Sequence, residues 1–172
     1  TTSKKYFLDY LFNFKDKIKI ANMRLEHIFG EFDSENKFVT NVFRQLIKDN
    51  QEVLLTEGTQ KRDFIYVQDV VNAYLKVVSN INQVNNFTEF EVGRGESISV
   101  RQFVLTLLEI LESKAELKFG VLPAREGEIM DSVANLTELE KIGWKSNYDL
   151  KTAITKMVEI EKDYKYIRDG TS

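Results

Sequence analysis

Residues 58–73 of the chain read GTQKRDFIYVQDVVNA and predict a turn, a strand and the start of a helix in close succession. Gly58 is a typical turn residue, and the β-branched and aromatic run at residues 64–67 is typical of a buried strand. Asp69 follows as a predicted helix N-cap, before apolar residues that recur with the spacing of one helix face. The stretch therefore predicts a strand joined directly to a helix.

Helices and strands alternate along the rest of the 172 residues. Ser99 and Gln102 form a capping-box pattern before an apolar stripe, and Thr137 with Glu140 repeats the pattern before a shorter one. Because parallel strands need helical crossovers between them, this alternation predicts an α/β fold with parallel pairs. The other predicted helices cover the N-terminal residues, 38–47 and 150–158, and the other predicted strands cover residues 18–25, 53–55, 87–92 and 117–122.

Composition excludes several classes of protein. With 24 Lys and Arg against 27 Asp and Glu, the net charge of −3 provides no basic field to attract nucleic acid or an anionic membrane. The chain has no cysteine and one histidine, so we expect no metal site. No apolar run approaches the roughly 20 residues that cross a bilayer. We therefore expect a cytoplasmic protein that binds neither nucleic acid nor membrane.

Arg62 and Arg125 are candidate anion-binding residues, because each lies at the edge of predicted regular structure. A planar guanidinium can donate two parallel hydrogen bonds to a phosphate, and two such groups beside one site could neutralise a diphosphate. The alternative for each residue is a surface ion pair, which contributes little. These pairs would join Arg62 to Asp63, and Arg125 to Glu126 or Glu128.

The sequence lacks two motifs that would settle its chemistry directly. Gly93-Arg94-Gly95 has neither the third glycine nor the spacing of a dinucleotide-binding loop. There is no Gly-x-Ser-x-Gly elbow, and the single histidine has no paired serine nearby, which argues against a hydrolytic triad. Taken alone, His27 is a partly buried polar residue at a strand end.

The stretch at residues 58–73 closely resembles the segment G-x-x-x-R-D-F-I-Y-V-x-D-V-V-x-A of the extended short-chain dehydrogenase/reductases, a family of nucleotide-sugar epimerases, dehydratases and reductases. Four more stretches resemble family segments in the same order: residues 23–30 (MRLEHIFG), 90–93 (FEVG), 125–128 (REGE) and 142–145 (IGWK). The resemblance runs from about Thr1 to Tyr164. It implies the C-terminal part of a Rossmann-type fold, with the last parallel strands and helices plus a small mixed α/β substrate-binding domain.

The resemblance also implies a catalytic residue. The family uses a Tyr-x-x-x-Lys pair, and residues 1–4, TTSK, resemble the last four residues of that motif. Lys4 is thereby implied as the catalytic lysine, which also contacts the cofactor, and Leu25 is implied beside the nicotinamide. The tyrosine and the glycine-rich half that binds NAD or NADP are expected before Thr1.

The substrate implied by the resemblance is a nucleoside-diphosphate sugar. Arg62 and Arg125 match family arginines that hold the diphosphate. His27 stands where many members have an asparagine that touches the sugar or its phosphate, and an imidazole there could make binding dependent on pH. Family members commonly dimerise, so we also expect a homodimer.

The resemblance assigns residues 1–30 to the last part of the NAD(P)-binding domain and residues 31–166 mainly to the substrate-binding region, with strands that return to the Rossmann sheet. Residues 167–172 are expected to be a frayed tail. The expected function is the substrate-binding portion of an NAD(P)-dependent nucleotide-sugar epimerase, dehydratase or reductase, which transfers hydride at a sugar carbon and is inactive alone. The alternative is a non-catalytic module of the same fold that binds a nucleotide sugar or a protein.

Overall fold

The computed structural model describes residues 2–48 and 52–169, in which helices and strands alternate as predicted. The strands of these residues form four two-stranded pairs, three parallel and one antiparallel. In chain order the elements are α1 (Thr2–Phe12), β1 (Ile20–Leu25), β2 (His27–Phe29), α2 (Phe38–Leu46), β3 (Glu52–Leu54), β4 (Lys61–Arg62), β5 (Phe64–Tyr66), α3 (Val67–Ser79), β6 (Phe87–Val92), β7 (Ile98–Ser99), α4 (Val100–Leu111), β8 (Glu116–Lys118), α5 (Thr137–Lys141) and α6 (Leu150–Asp169), with a 3-10 turn at Ile81–Gln83.

The parallel pair of β1 and β6 is covered by helices on both faces. Phe90 of β6 is buried in a core with α3 and α5. Phe87 packs edge-on against Phe12 of α1, with ring centroids 4.9 Å apart. Because successive side chains of a strand point to opposite faces, α1 and α3 lie on opposite sides of the pair. β6 thus joins a strand from residues 1–30, although the domain boundaries themselves stay a prediction.

β5 separates two hydrophobic cores, and each of its three residues is buried. Phe64 and Tyr66 belong to a core with α2, α4 and α6, in which the ring centroids of Phe64 and Phe103 are 4.2 Å apart. Ile65 belongs to the second core, formed by α3, α5 and the β1–β6 pair. A strand that is buried on both faces needs apolar residues at every position, which explains the continuous run in the sequence.

Asp69 is not the N-cap of α3, because the helix begins earlier, at Val67. Its fully buried carboxylate instead accepts hydrogen bonds from the N–H groups of Asn147 (2.9 Å) and Tyr148 (3.2 Å). The sequence predicted the helix correctly, but it predicted that Asp69 caps the start of that helix. Its role is long-range, since it connects α3 to the segment before α6.

The sequence predicted one of two further helix starts correctly and the other incorrectly. At α4 Ser99 is the N-cap as predicted, because its hydroxyl accepts the N–H of Gln102 at 3.0 Å. At α5 the capping-box prediction is wrong. Thr137 is already helical, and its N–H donates to the side chain of Asn135 at 3.1 Å.

One predicted strand end also needs correction. The strand predicted at residues 117–122 is β8, which spans only Glu116–Lys118. Residues 167–169 form the end of α6 and residues 170–172 lie outside the described residues, so the expected frayed tail at 167–172 stays a prediction. Within the described part of the chain, no helix combines the length and the apolar character that a membrane span requires.

Asp63, between β4 and β5, is fully buried and organises the loops around it. Its carboxylate accepts hydrogen bonds from the N–H groups of Arg94 (2.7 Å), Gly95 (2.9 Å) and Ala134 (3.2 Å). A Cβ atom added to Gly93 would lie 2.2 Å from Asp63 Oδ2, so this position has room only for glycine. Asp63 therefore fixes the loop after β6 and the segment at Ala134 beside the end of β4.

We predict that Asp63→Asn lowers the free energy of unfolding by about 2 to 3 kcal/mol, measured by urea denaturation, because the amide NH₂ would face backbone donors and leave them unpaired. Asp16→Asn removes an equal charge at an exposed position and serves as the control, with a change within about 0.5 kcal/mol. Equal effects of the two variants would contradict the role of Asp63.

Candidate functional site

A cleft of about 830 Å³ lies between the β1–β2 junction, α2, the segment after β3 and the loop at residues 119–136, which we call the 119–136 loop. Its volume is in the range of small-molecule sites. The cleft opens at the carboxyl end of β1, where open α/β folds bind their ligands. Four of the five site residues predicted from the sequence line it, namely Leu25, His27, Arg62 and Arg125.

Arg62 is a buried cation, with only 7% of its surface exposed. Its guanidinium donates to the carbonyl oxygens of Lys61 (2.7 Å) and Ile129 (2.5 Å) and to Glu128 Oε1 (2.8 Å). The expected ion pair with Asp63 is not formed, because backbone N–H groups occupy that carboxylate. These three bonds use three of the five guanidinium donors and leave two for a ligand.

Arg125 differs from Arg62 because it is exposed and makes no ion pair with any described residue. The expected surface pairs with Glu126 and Glu128 are therefore absent, and Glu128 instead binds Arg62. That bond also holds the 119–136 loop against β4, which brings Arg125 to the same cleft as Arg62. Two arginines that are 63 positions apart in the sequence thus line the same cleft, and their role in binding a diphosphate stays a prediction.

His27 begins β2, and its N–H donates to the carbonyl oxygen of Asp63 at 3.0 Å. Its half-exposed ring contacts Phe64 edge-on, with centroids 6.0 Å apart. Burial and, to a lesser degree, the positive charge of Arg62 lower the pKa of His27 below its usual 6.5, although Glu26 opposes this shift. At neutral pH the cleft therefore presents a neutral imidazole, which can both donate and accept a hydrogen bond.

Leu25 and Lys4 were predicted on the cofactor side of the site. Leu25 ends β1 and exposes 41% of its surface at the rim of the cleft. Lys4 lies in the first turn of α1, where its side chain is exposed, and it is not among the residues that line the cleft. The structure thus does not bring Lys4 together with the other four, and its role stays a prediction. Thr1 lies outside the described residues.

Sequence reasoning missed two groups of the cleft. Glu26 lies between two predicted site residues, and its carboxylate accepts a hydrogen bond from the Ser132 hydroxyl at 2.7 Å. An acidic residue inside the RLEH stretch was a usable signal for Glu26. Nothing in the sequence pointed to Ser132, because its position depends on the path of the 119–136 loop. Among the described residues, no group of three or more His, Asp and Glu side chains could hold a metal.

The sequence profile of the NAD dependent epimerase/dehydratase family matches residues 2–93, which include β1, β2, β5 and β6. This match covers more than half of the chain. The chain belongs to the NAD dependent epimerase/dehydratase family. The membership expected from the five short stretches is therefore confirmed.

Relatives in this family include two CDP-abequose synthases. The chain is 41% identical over 152 residues to that of Salmonella typhimurium, a match that covers 87% of this chain and 50% of the relative. It is 32% identical over 164 residues to that of Salmonella muenchen, covering 93% of this chain and 55% of the relative. The chain thus spans about half the length of the curated relatives it matches.

Solved structures of the family share the fold. The UDP-glucose 4-epimerase of Thermotoga maritima with UDP-glucose superposes with a TM-score of 0.78 at 24% identity, covering 95% of this chain and 51% of that one. The UDP-glucose 4-epimerase of Thermus thermophilus with NAD gives a TM-score of 0.79 at 21% identity, covering 94% of this chain and 53% of that one. The predicted α/β fold of the Rossmann type is therefore confirmed.

We predict that NMR titration of His27, the only histidine of the sequence, gives a pKa below 6.5 in the folded protein. The stability that the neutral ring contributes is then full above pH 6.5 and falls as the pH drops toward the folded pKa. Arg62→Gln should raise this pKa only part of the way to 6.5, because burial is the larger cause. A folded pKa at or above 6.5 would contradict the assigned environment.

Proposed function

We propose that the natural protein carrying this chain is an NAD(P)-dependent enzyme that transfers hydride at a carbon of a nucleoside-diphosphate sugar, and that this chain supplies the sugar-nucleotide side of its site. The observation that carries the proposal is the convergence of Arg62 and Arg125 on one cleft. A diphosphate carries two negative charges close together, and two guanidinium groups can bind both.

The two arginines have different tasks in this proposal. Arg62 is buried and held by two carbonyl oxygens and Glu128, so its remaining donors have a fixed direction before any ligand arrives. A fixed donor loses little side-chain entropy on binding. Arg125 is exposed on the 119–136 loop and can close on the phosphate from the other side. Because both groups line a partly closed cleft, their attraction for the phosphate is screened less than on an open surface.

We propose a CDP-linked sugar as the substrate. Support comes from the CDP-abequose synthases, to which the chain is 41% and 32% identical over most of its length. The apolar wall of the cleft, which includes Phe38 and Leu54, is suited to cover the flat face of a base. Epimerisation, dehydration and reduction all begin with hydride transfer at the sugar, so the class of reaction can be proposed without choosing among them.

The two residues of this chain that we assign to the cofactor side, Leu25 and Lys4, are compatible with bound NAD(P). Leu25 offers an exposed apolar surface at the carboxyl end of β1, which suits contact with a nicotinamide ring. When bound, the nicotinamide would supply the hydride acceptor and donor. We propose that Lys4, exposed at the start of α1, lowers the pKa of a catalytic tyrosine and favours its phenolate at neutral pH.

We further propose that these 172 residues alone bind the sugar nucleotide without turnover. The chain spans about half the length of its curated relatives, and its sequence has no glycine-rich dinucleotide-binding loop. A cytoplasmic location is part of the same proposal, since sugar nucleotides and NAD(P) are cytoplasmic metabolites. Turnover of substrate by these 172 residues alone would contradict the proposal that this chain supplies only the sugar-nucleotide side of the site.

The first test of the function is Arg125→Ala in the natural gene product, with binding of CDP-glucose measured by isothermal titration. We expect affinity to fall about tenfold or more through loss of a charge-assisted phosphate contact. Folding should be unaffected, because Arg125 is exposed and makes no ion pair with any described residue.

Lys151→Ala is the matched control, since it removes one positive charge from an exposed pair with Glu109, and neither residue lines the cleft. It should leave the affinity unchanged. Turnover of a CDP-sugar with NAD or NADP should fall with Arg125→Ala in the same proportion as binding. Unchanged affinity and turnover in Arg125→Ala would rule out the diphosphate assignment.

We also propose that the protein is a homodimer that associates through α1. The helix has no buried residue, and Tyr6, Phe7 and Tyr10 each expose 60% or more of their surface. A contiguous exposed patch of aromatic residues usually marks an interface.

Phe7→Glu is therefore expected to shift the natural gene product from dimer to monomer in light scattering, because it places a charge in the apolar contact. Val78→Glu, on the exposed side of α3, removes a similarly exposed apolar residue and is the control. A monomeric wild type, or a dimer that tolerates Phe7→Glu, would exclude α1 as the interface.

A further inference from the structure

Glu26 is the one cleft carboxylate held at the junction of β1 and β2 in the described part of the chain. Its N–H donates to the carbonyl oxygen of Val92 at 3.0 Å, which places the residue at the carboxyl edge of the β1–β6 pair. Only 20% of its side chain is exposed, and that side chain lines the cleft. It follows directly after Leu25, so it lies on the side of the cleft that the proposed function assigns to hydride transfer.

The carboxylate of Glu26 is held in place through one of its two oxygens. Oε2 accepts the Ser132 hydroxyl at 2.7 Å and lies 3.8 Å from Nδ1 of His27. No hydrogen bond within the described residues uses Oε1. A carboxylate has about four acceptor sites, so this group retains free acceptors at a fixed position in the cleft.

The charge of Glu26 limits what it can bind. An anionic acceptor repels a phosphate, and it cannot donate a hydrogen bond. Its natural ligands are hydroxyl groups, which donate to a carboxylate through short, charge-assisted bonds. The neutral imidazole of His27 beside it adds a second polar contact that a hydroxyl can use as either donor or acceptor.

We propose that Glu26 determines sugar specificity by accepting hydrogen bonds from hydroxyl groups of the sugar, with Ser132 fixing its orientation and His27 contacting the same sugar. The proposal rests on the proposed function, because it needs a nucleotide sugar in the cleft. It adds Glu26 to that site, as an acceptor of hydrogen bonds from hydroxyl groups. The alternative is that Glu26 accepts hydrogen bonds from the ribose hydroxyls of the nucleotide. The test distinguishes hydroxyl groups of the sugar from those of the ribose.

The test compares CDP-glucose with CDP as ligands of the natural gene product, by isothermal titration. Both contain the ribose and the diphosphate, so a loss of affinity that is confined to CDP-glucose reports a contact with the glucose. Glu26→Gln keeps the shape and the acceptor for Ser132 but removes the charge. We expect it to lower the affinity for CDP-glucose about tenfold and to leave the affinity for CDP within about twofold or slightly stronger.

The direction in which Glu26→Gln changes the two affinities distinguishes recognition of a hydroxyl group from a purely electrostatic effect. Loss of a negative charge near a diphosphate should strengthen binding of both ligands, whereas loss of a hydroxyl acceptor weakens only CDP-glucose. Ser132→Ala should weaken CDP-glucose by less than Glu26→Gln does, because the carboxylate remains. Glu109→Gln, which removes a charge from an exposed ion pair outside the cleft, is the matched control and should change neither affinity.

Two kinds of failure can be told apart. If the wild type binds neither CDP-glucose nor CDP, the proposed function fails and this inference fails with it. If the wild type binds both, and Arg125→Ala weakens both, the function stands. The inference alone is then overturned if Glu26→Gln affects the two ligands equally or not at all, or if the wild type gains no affinity from the glucose.

Discussion

The buried carboxylate of Asp63 is the interaction on which the cleft depends. It accepts three backbone N–H groups from two loops that are distant in sequence, while the carbonyl oxygen of the same residue accepts the N–H of His27. A buried charge is tolerated only when hydrogen bonds replace its lost hydration. The loops must therefore take up the positions that satisfy it, and Gly93 must leave the space that it occupies.

This arrangement explains why Arg62, the neighbouring residue, is available to a ligand. Had Asp63 also paired with Arg62, a second carboxylate besides Glu128 would have occupied the guanidinium and left fewer donors for a ligand. Instead the charge of Asp63 is directed to backbone groups, and Arg62 binds carbonyl oxygens and Glu128. The 119–136 loop is thereby attached at Glu128 and Ser132, which positions both Arg125 and Glu26.

The cleft thus presents two kinds of polar group. Arg62 and Arg125 provide positive charge suited to a diphosphate, while Glu26 and the neutral ring of His27 provide acceptors suited to hydroxyl groups. Glu26 follows Leu25, at the carboxyl end of β1.

The sequence by itself determined the α/β alternation, the family and four residues of the cleft, because hydrophobic periodicity and short motifs are local properties of the chain. It could not show that Asp69 bonds to Asn147 and Tyr148, that Arg62 pairs with Glu128, or that Ser132 fixes Glu26. Each of those partners lies 66 or more positions away, and only the folded path of the loops brings the atoms within hydrogen-bonding distance. A hydrogen bond requires a separation near 3 Å, and no pattern of residue types specifies that separation across so long a stretch of chain.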